Sequence, residues 1–254
     1  MPFVPYNLRA VKSALQKTGH RPSGRSAMAT FSCPDLIATK TDLISIFGRF
    51  PEKVERRKDA DGILRWHKSR KRIPDGVVYD THSFFAGHGV DVTSFDIFPG
   101  RDTEVVHDLC LPVPAQWHGR FDVLFDCISN QCFDPAQVLR NALAVVRVGG
   151  VIVHCVPAQM VNQGFYDFGP TLFPDFYGDN GAEVIDQQLV VGVYEETQPR
   201  IEPLSYFRMR NLPDDAMNLV TVRKLRDQPY KSPVMRKFRK SPDCKIGRPK
   251  HADA

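Results

Sequence analysis

The stretch from 121 to 157 constrains the fold most. FDVLFDCIS (121–129) and VIVHCVP (151–157) are short, almost uniformly apolar runs, and DPAQVLRNALAVVRVGG (134–150) lies between them. Runs of this kind fit strands buried on both faces of a parallel sheet. The intervening segment predicts a helix. Asp134 suits its N-cap, Pro135 its first turn, and Gly149 the turn that ends it. Val138, Leu139, Ala142, Leu143 and Val146 form one apolar stripe. Strand, helix and strand in this order make a parallel crossover unit.

Neighbouring segments extend the sheet. VDVTSFDIF (90–98) alternates and is β-branched, and TEVVHDL (103–109) reads as a short strand. VVYD (77–80) is the candidate first strand, which compresses the first crossover into about twenty residues. PLSYFRMR (203–210) and NLVTVRK (218–224) read as the arms of a hairpin. The expected fold class is α/β, a Rossmann-like doubly wound, mostly parallel sheet with a C-terminal antiparallel hairpin. Its expected bounds are 73–225.

Residues 1–72 read as a helical, charged extension. Leu8–Lys17 forms one helix, and Thr41 or Asp42 caps another that carries Leu43, Ile46 and Phe47 on one face. The charged run 51–72 reads as a connector anchored by Trp66. Residues 226–254 lack apolar periodicity and read as a disordered basic tail. From Arg223 onward there are eleven Lys and Arg against three Asp, so the net charge of +5 belongs to the tail and the body is mildly acidic. A basic tail of this kind is ordinarily solvated, and nucleic acid is not the expected partner.

Composition excludes several classes. Charged residues make up 25% of the chain and hydrophobic residues 42%, as in a globular protein rather than a disordered or fibrous one. No apolar run approaches the roughly 20 residues of a membrane span, and the N-terminus lacks a signal-peptide pattern. The six cysteines include no C-x-x-C pair and read as reduced thiols, so a cytoplasmic setting is expected. The eight histidines show no metal-ligand spacing, and no metal is expected.

Ligands in doubly wound sheets bind at the carboxyl ends of the strands. Asp96 sits at such an end, where a carboxylate accepts hydrogen bonds from the ribose of S-adenosylmethionine or of a dinucleotide; Ile97 follows it. Asp126 and Cys127, with Ile128, end the strand read at 121–129 and face the same crevice in this reading. No glycine-rich loop follows the candidate first strand. Tyr79, Asp80, Thr81 and His82 stand there instead, and the lone GHG at 87–89 precedes a strand rather than opening a helix. Asn162, Gln163, Tyr166 and Asp167 follow VIVHCVP, where polar amides and an aromatic ring suit a sugar. Phe165, Phe168, Phe173 and Phe176 are expected in the core. His82 and His154 are the candidate bases, although His154, inside an apolar strand, also reads as a core histidine.

A helix ending in VGG, an apolar strand ending in Pro and a late hairpin resemble the class I S-adenosylmethionine-dependent methyltransferase fold over about residues 77–224. A narrower resemblance follows CPDLIATKTDLISIFG, DTHSFFAGHGVDVTSFDIF, VVHDLCLPVP, FDVLFDCISNQCFD, VLRNALAVVRVGG and QGFYDFGPTLFPDFYGDNG. Together these resemble methyltransferase-like proteins associated with bacterial surface-polysaccharide and sugar modification, a group that often lacks the glycine-rich loop. The resemblance implies S-adenosylmethionine as cofactor and a small-molecule or glycan acceptor. It places Asp108 near the adenine amino group and Leu109 against the base. Two departures stand out: NQC replaces an acid–histidine pair at 130–132, and Gln163 replaces a histidine. They support an alternative reading as a catalytically degenerate partner or scaffold in glycan assembly.

Overall fold

The computed structural model describes residues 2–20, 24–100, 103–192, 199–202, 204, 209 and 212–239. An eight-stranded sheet organises them, ordered β3-β2-β1-β4-β5-β8-β6-β7. Its strands are β1 (Ser26–Phe31), β2 (Val90–Asp96), β3 (Val105–Val106), β4 (Phe121–Asp126), β5 (Val146–Gln159), β6 (Ala182–Val191), β7 (Arg200–Glu202) and β8 (Ala216–Lys224). Strands β1 to β5 pair in parallel, and β8 runs antiparallel between β5 and β6. This is the expected doubly wound sheet with a reversed strand near its C-terminal end.

The first strand is a correction. It is SAMATF at 26–31, not VVYD at 77–80, and it occupies the centre of the sheet. The fold therefore does not start at 73, because residues taken as an extension supply the central strand. Met28, Ala29, Thr30 and Phe31 are buried between β2 and β4. Small Ala, Ser and Thr side chains suit a strand crowded on both faces, and Thr30 meets Ser94 of β2 through a 2.8 Å hydroxyl–hydroxyl hydrogen bond. The β1-to-β2 crossover spans 32–89 and holds α2 (Lys40–Phe47), α3 (Ala60–Trp66) and α4 (Thr81–Ala86).

Two layers of helix cover the sheet. Helix α1 (Pro5–Lys17) packs on β4 and β5, and α4 packs on β2; their core joins Phe3, Leu8, Phe84, Phe85 and Phe125. The opposite face carries α5 (Pro135–Val145) and α6 (Leu172–Asp179), whose core joins Leu124, Val138, Ile152, Phe173 and Tyr177. Asp134 caps α5 by accepting from Gln137 N at 2.9 Å, as the sequence predicts. The helix stops at Val145, and VRVGG belongs to β5. Thr39, two or three residues earlier than expected, caps α2 in a reciprocal box with Asp42.

Other expectations also shift. Trp66 anchors nothing, being 80% exposed. The strand expected at 103–109 is only Val105–Val106. The hairpin arm at 203–210 falls largely outside the described residues; the partner of β8 is instead β6, whose polar AEVIDQQLVV gave no strand signal. Of the tail expected to be disordered, residues 240–254 lie outside them, but 226–239 are ordered against α6: Lys231 N donates to Asn180 Oδ1 at 2.8 Å, and Arg239 pairs with Asp179 at 2.9 Å. No helix among the described residues is long and apolar enough to cross a membrane.

Candidate functional site

The strand order reverses about β1: β2 and β3 lie on one side, β4 and β5 on the other. The crevice at this switch point is bounded, among the described residues, by the segments after β1 (32–39), β2 (97–100 and 103–104), β3 (107–114), β4 (127–134) and β5 (160–171). The loop after β1 takes the place where glycines were sought. Ser32 adopts φ +68°, a left-handed conformation, and its N–H donates to Phe95 O at 2.7 Å. Cys33, Asp35, Arg57, Tyr79, Asp80 and Thr81 line a small cleft beside it. Asp80 accepts from Ser83 N and caps α4, while Tyr79 is buried and bridges Leu36 and Arg56. Sequence reasoning missed Ser32–Pro34 because the strand before it is made of small residues.

Asp96 ends β2 half-buried. One carboxylate oxygen accepts weakly from Phe98 N at 3.3 Å, and the other has no protein donor among the described residues. Ile97 is exposed beside it. Asp108 is half-buried and accepts from Cys110 N at 2.9 Å. Leu109 is corrected: it is buried under α5, and its carbonyl accepts from Asn141, so its side chain is not a surface for a base.

Asp126 and Cys127 are corrected as well, since both lie beneath the crevice. Asp126 is fully buried and saturated with donors: Ile128 N and Ser129 N at 3.1 Å, Ser129 Oγ at 2.7 Å and His154 Nδ1 at 2.6 Å. Burial pushes its pKa up, but the hydrogen bonds and charge of its partners outweigh that and hold the carboxyl below its ordinary range. Burial, with the nearby charges of Asp126 and Asp96, pushes the Cys127 thiol up.

His154 is the core histidine. Its Nδ1 lies 2.6 Å from Asp126 Oδ2, and its Nε2 lies 2.5 Å from the Tyr177 hydroxyl. All three side chains are fully buried, and burial raises the Tyr177 pKa, keeping its proton in place. His82, on α4, has Nε2 2.8 Å from Glu104 Oε1, whose other oxygen accepts from Ser94 N. Neither histidine is displayed as a free base on the crevice floor.

The segments after β4 and β5 form one surface. Phe165 N and Tyr166 N donate to Asn130 O at 2.8 and 3.2 Å, and Tyr166 Oη donates to Phe133 O at 3.0 Å. Gly164 permits this approach, because a Cβ there would lie 2.3 to 2.9 Å from Asn130. Phe165 departs from its expected core position: it is 66% exposed and meets Phe133, 74% exposed, edge to face at 5.7 Å. Phe168, Phe173 and Phe176 are buried as expected. Asn162 (φ +67°) and Gln163 lie in the same loop, and Asp167 accepts from Met160 N. The Asn130 amide is buried, and its Oδ1 has no partner among the described residues. Sequence reasoning missed Asn130 and Phe133, although the exposed aromatic after NQC was their available signal.

Among the described residues, no group of three or more His, Cys, Asp or Glu could hold a metal ion. No protein-family model and no curated protein matches the sequence. Several solved structures are similar to this chain. The 16S rRNA (adenine(1408)-N(1))-methyltransferase from Catenulisporales acidiphilia is 11% identical, covering 90% of this chain and 96% of that one at a TM-score of 0.39. The Burkholderia thailandensis 1,6-didemethyltoxoflavin-N1-methyltransferase is 12% identical, covering 87% and 79% at 0.45. The Thermus thermophilus branched-chain polyamine synthase is 15% identical, covering 91% and 59% at 0.42.

Proposed function

We propose that the protein is an S-adenosylmethionine-dependent methyltransferase acting on a sugar or glycan precursor. One observation carries the reading: a half-buried carboxylate, Asp96, ends β2 beside the switch point with an oxygen left for a ligand hydroxyl. Ribose hydroxyls are the donors that such an acid takes in this fold. Ile97 and Asp108 lie on the same edge for the nucleoside, and the left-handed Ser32 opens the loop toward the methionine end. The bound cofactor supplies the electrophilic methyl group.

The protein's own part is to hold the acceptor in line with that group. Phe133, Phe165 and Tyr166 offer rings for the apolar face of a sugar. Asn162, Gln163 and Asp167 offer polar atoms for its rim.

Thermal unfolding with and without S-adenosylhomocysteine tests the reading. Ligand at about 100 times its dissociation constant stabilises a native-state site by roughly 2.7 kcal/mol. An upward shift in the parent, lost in Asp96→Ala, is expected. No shift at about millimolar ligand favours the second reading, a non-catalytic partner in glycan assembly. The engagement of His154 with Asp126 and Tyr177, and the burial of both His82 ring nitrogens beside Glu104, support that alternative.

A further inference from the structure

Away from the crevice, a groove of about 650 Å³ opens on the α1 side of the sheet, over β6, β7 and β8. Its volume is that of a small-molecule site. Leu219 and Val190 contribute to its floor. By register they lie level with Cys155 and Pro157, near the carboxyl end of β5. One wall is the face of α1 bearing Tyr6, Arg9, Ala10 and Ser13, which helical spacing places together.

The charges of the groove come from separate elements. Arg9 belongs to α1 and Lys71 and Arg72 to the connector, while Asp186 and Gln188 belong to β6, where Gln188 Nε2 donates to Asp186 at 3.2 Å. Neither Arg9 nor Lys71 pairs with an acid among the described residues. Asp42, the remaining acid at the rim, has one oxygen occupied by Thr39 N and Oγ1 at 3.0 and 2.6 Å. Two cations from separate segments, Arg9 and Lys71, are donors that an organic phosphate takes, and a guanidinium group matches its oxygens in pairs. A carboxylate and an amide are the partners of hydroxyl groups.

We propose that this groove binds a phosphorylated sugar, with Arg9 and Lys71 holding the phosphate and Asp186 and Gln188 the hydroxyls. The sugar half of this assignment rests on the acceptor reading above; the anion half stands on the groove alone. The ligand chemistry is that of a sugar 1-phosphate or a sugar diphosphate, distinguished by the probes used.

Calorimetric titration of the full chain with glucose 1-phosphate, inorganic phosphate and inorganic pyrophosphate tests it. Saturable binding of glucose 1-phosphate or pyrophosphate is expected, weakening with salt. A preference for pyrophosphate indicates a sugar diphosphate. Arg9→Ala with Lys71→Ala should weaken binding at least about tenfold. Asp186→Asn should weaken glucose 1-phosphate but not inorganic phosphate. Affinity unchanged in the Arg9/Lys71 variant would overturn the proposal by moving the anion to the basic tail, and so would no binding at about 10 mM probe. S-adenosylhomocysteine stabilisation, measured on the same proteins, separates the two readings. Its absence with phosphate binding intact sinks methyl transfer and leaves the groove standing.

Discussion

Tyr177→Phe removes one hydroxyl from a fully buried chain of three side chains. His154 Nε2, 2.5 Å from that hydroxyl, then faces the core without a partner. An unsatisfied buried polar atom costs about 1–3 kcal/mol, so this is the expected loss of unfolding free energy at pH 7. His154→Phe goes further. It takes one of four donors from the buried Asp126 carboxylate, and breaking a buried charged contact costs about 3–5 kcal/mol. That change also strands the Tyr177 hydroxyl, so adding Tyr177→Phe should relieve part of its cost and make the double variant less than additive. Urea unfolding followed by circular dichroism measures all three. S-adenosylhomocysteine stabilisation should survive in Tyr177→Phe, because the chain lies beneath the crevice. A Tyr177→Phe protein within about 0.5 kcal/mol of the parent would refute the reasoning. Loss of ligand response at unchanged stability would instead return His154 to the active site.

Three further outcomes are expected. His88 is buried against Phe47 and Phe84, and burial first, then the charges of Arg49, Lys12 and His20, push its pKa down to about 4. The folded protein therefore holds it neutral. Stability should be full above the unfolded value of about 6.5, fall by about 2 kcal/mol between pH 6.5 and 4.5, and level off below 4. His88→Leu should remove that component from urea titrations run across this range. Burial, with Asp126, Cys110 and Asp108, pushes Cys132 up to about 12, so iodoacetamide at pH 8 should label it about a thousandfold more slowly folded than unfolded, read by peptide mass spectrometry. Gly164→Ala should part the segments after β4 and β5, costing about 1–3 kcal/mol and weakening acceptor affinity while the response to S-adenosylhomocysteine persists.

The parallel half of the sheet was legible where burial on both faces requires large apolar side chains, as in β4 and β5. It was illegible at β1, where close packing is met by Ala, Ser and Thr, and a central strand then looks like a linker. Strand β6 hid for the opposite reason, carrying Glu183, Asp186, Gln187 and Gln188 at a partly open end of the sheet. At the site, Asp96 could be placed from its strand alone. The depth of Asp126, Cys127 and Leu109 could not, because one-residue differences at a strand end decide whether a side chain points to the crevice or the core. Asn130 and Phe133 depend on contact with a loop thirty residues away, which no local pattern records.

The central position of β1 also bears on how the chain reaches its native state. Ser26 pairs with Val90, and Met28 pairs with both Val92 and Val123, so the first strand to be made waits longest for its partners. Closing such distant contacts is slow, and until then an almost unbroken strand edge is open to pairing with other chains. During synthesis the first half of the protein cannot complete its own sheet. The hazard of misassembly falls in the interval before residues 121–126 emerge, and protection by chaperones matters most there.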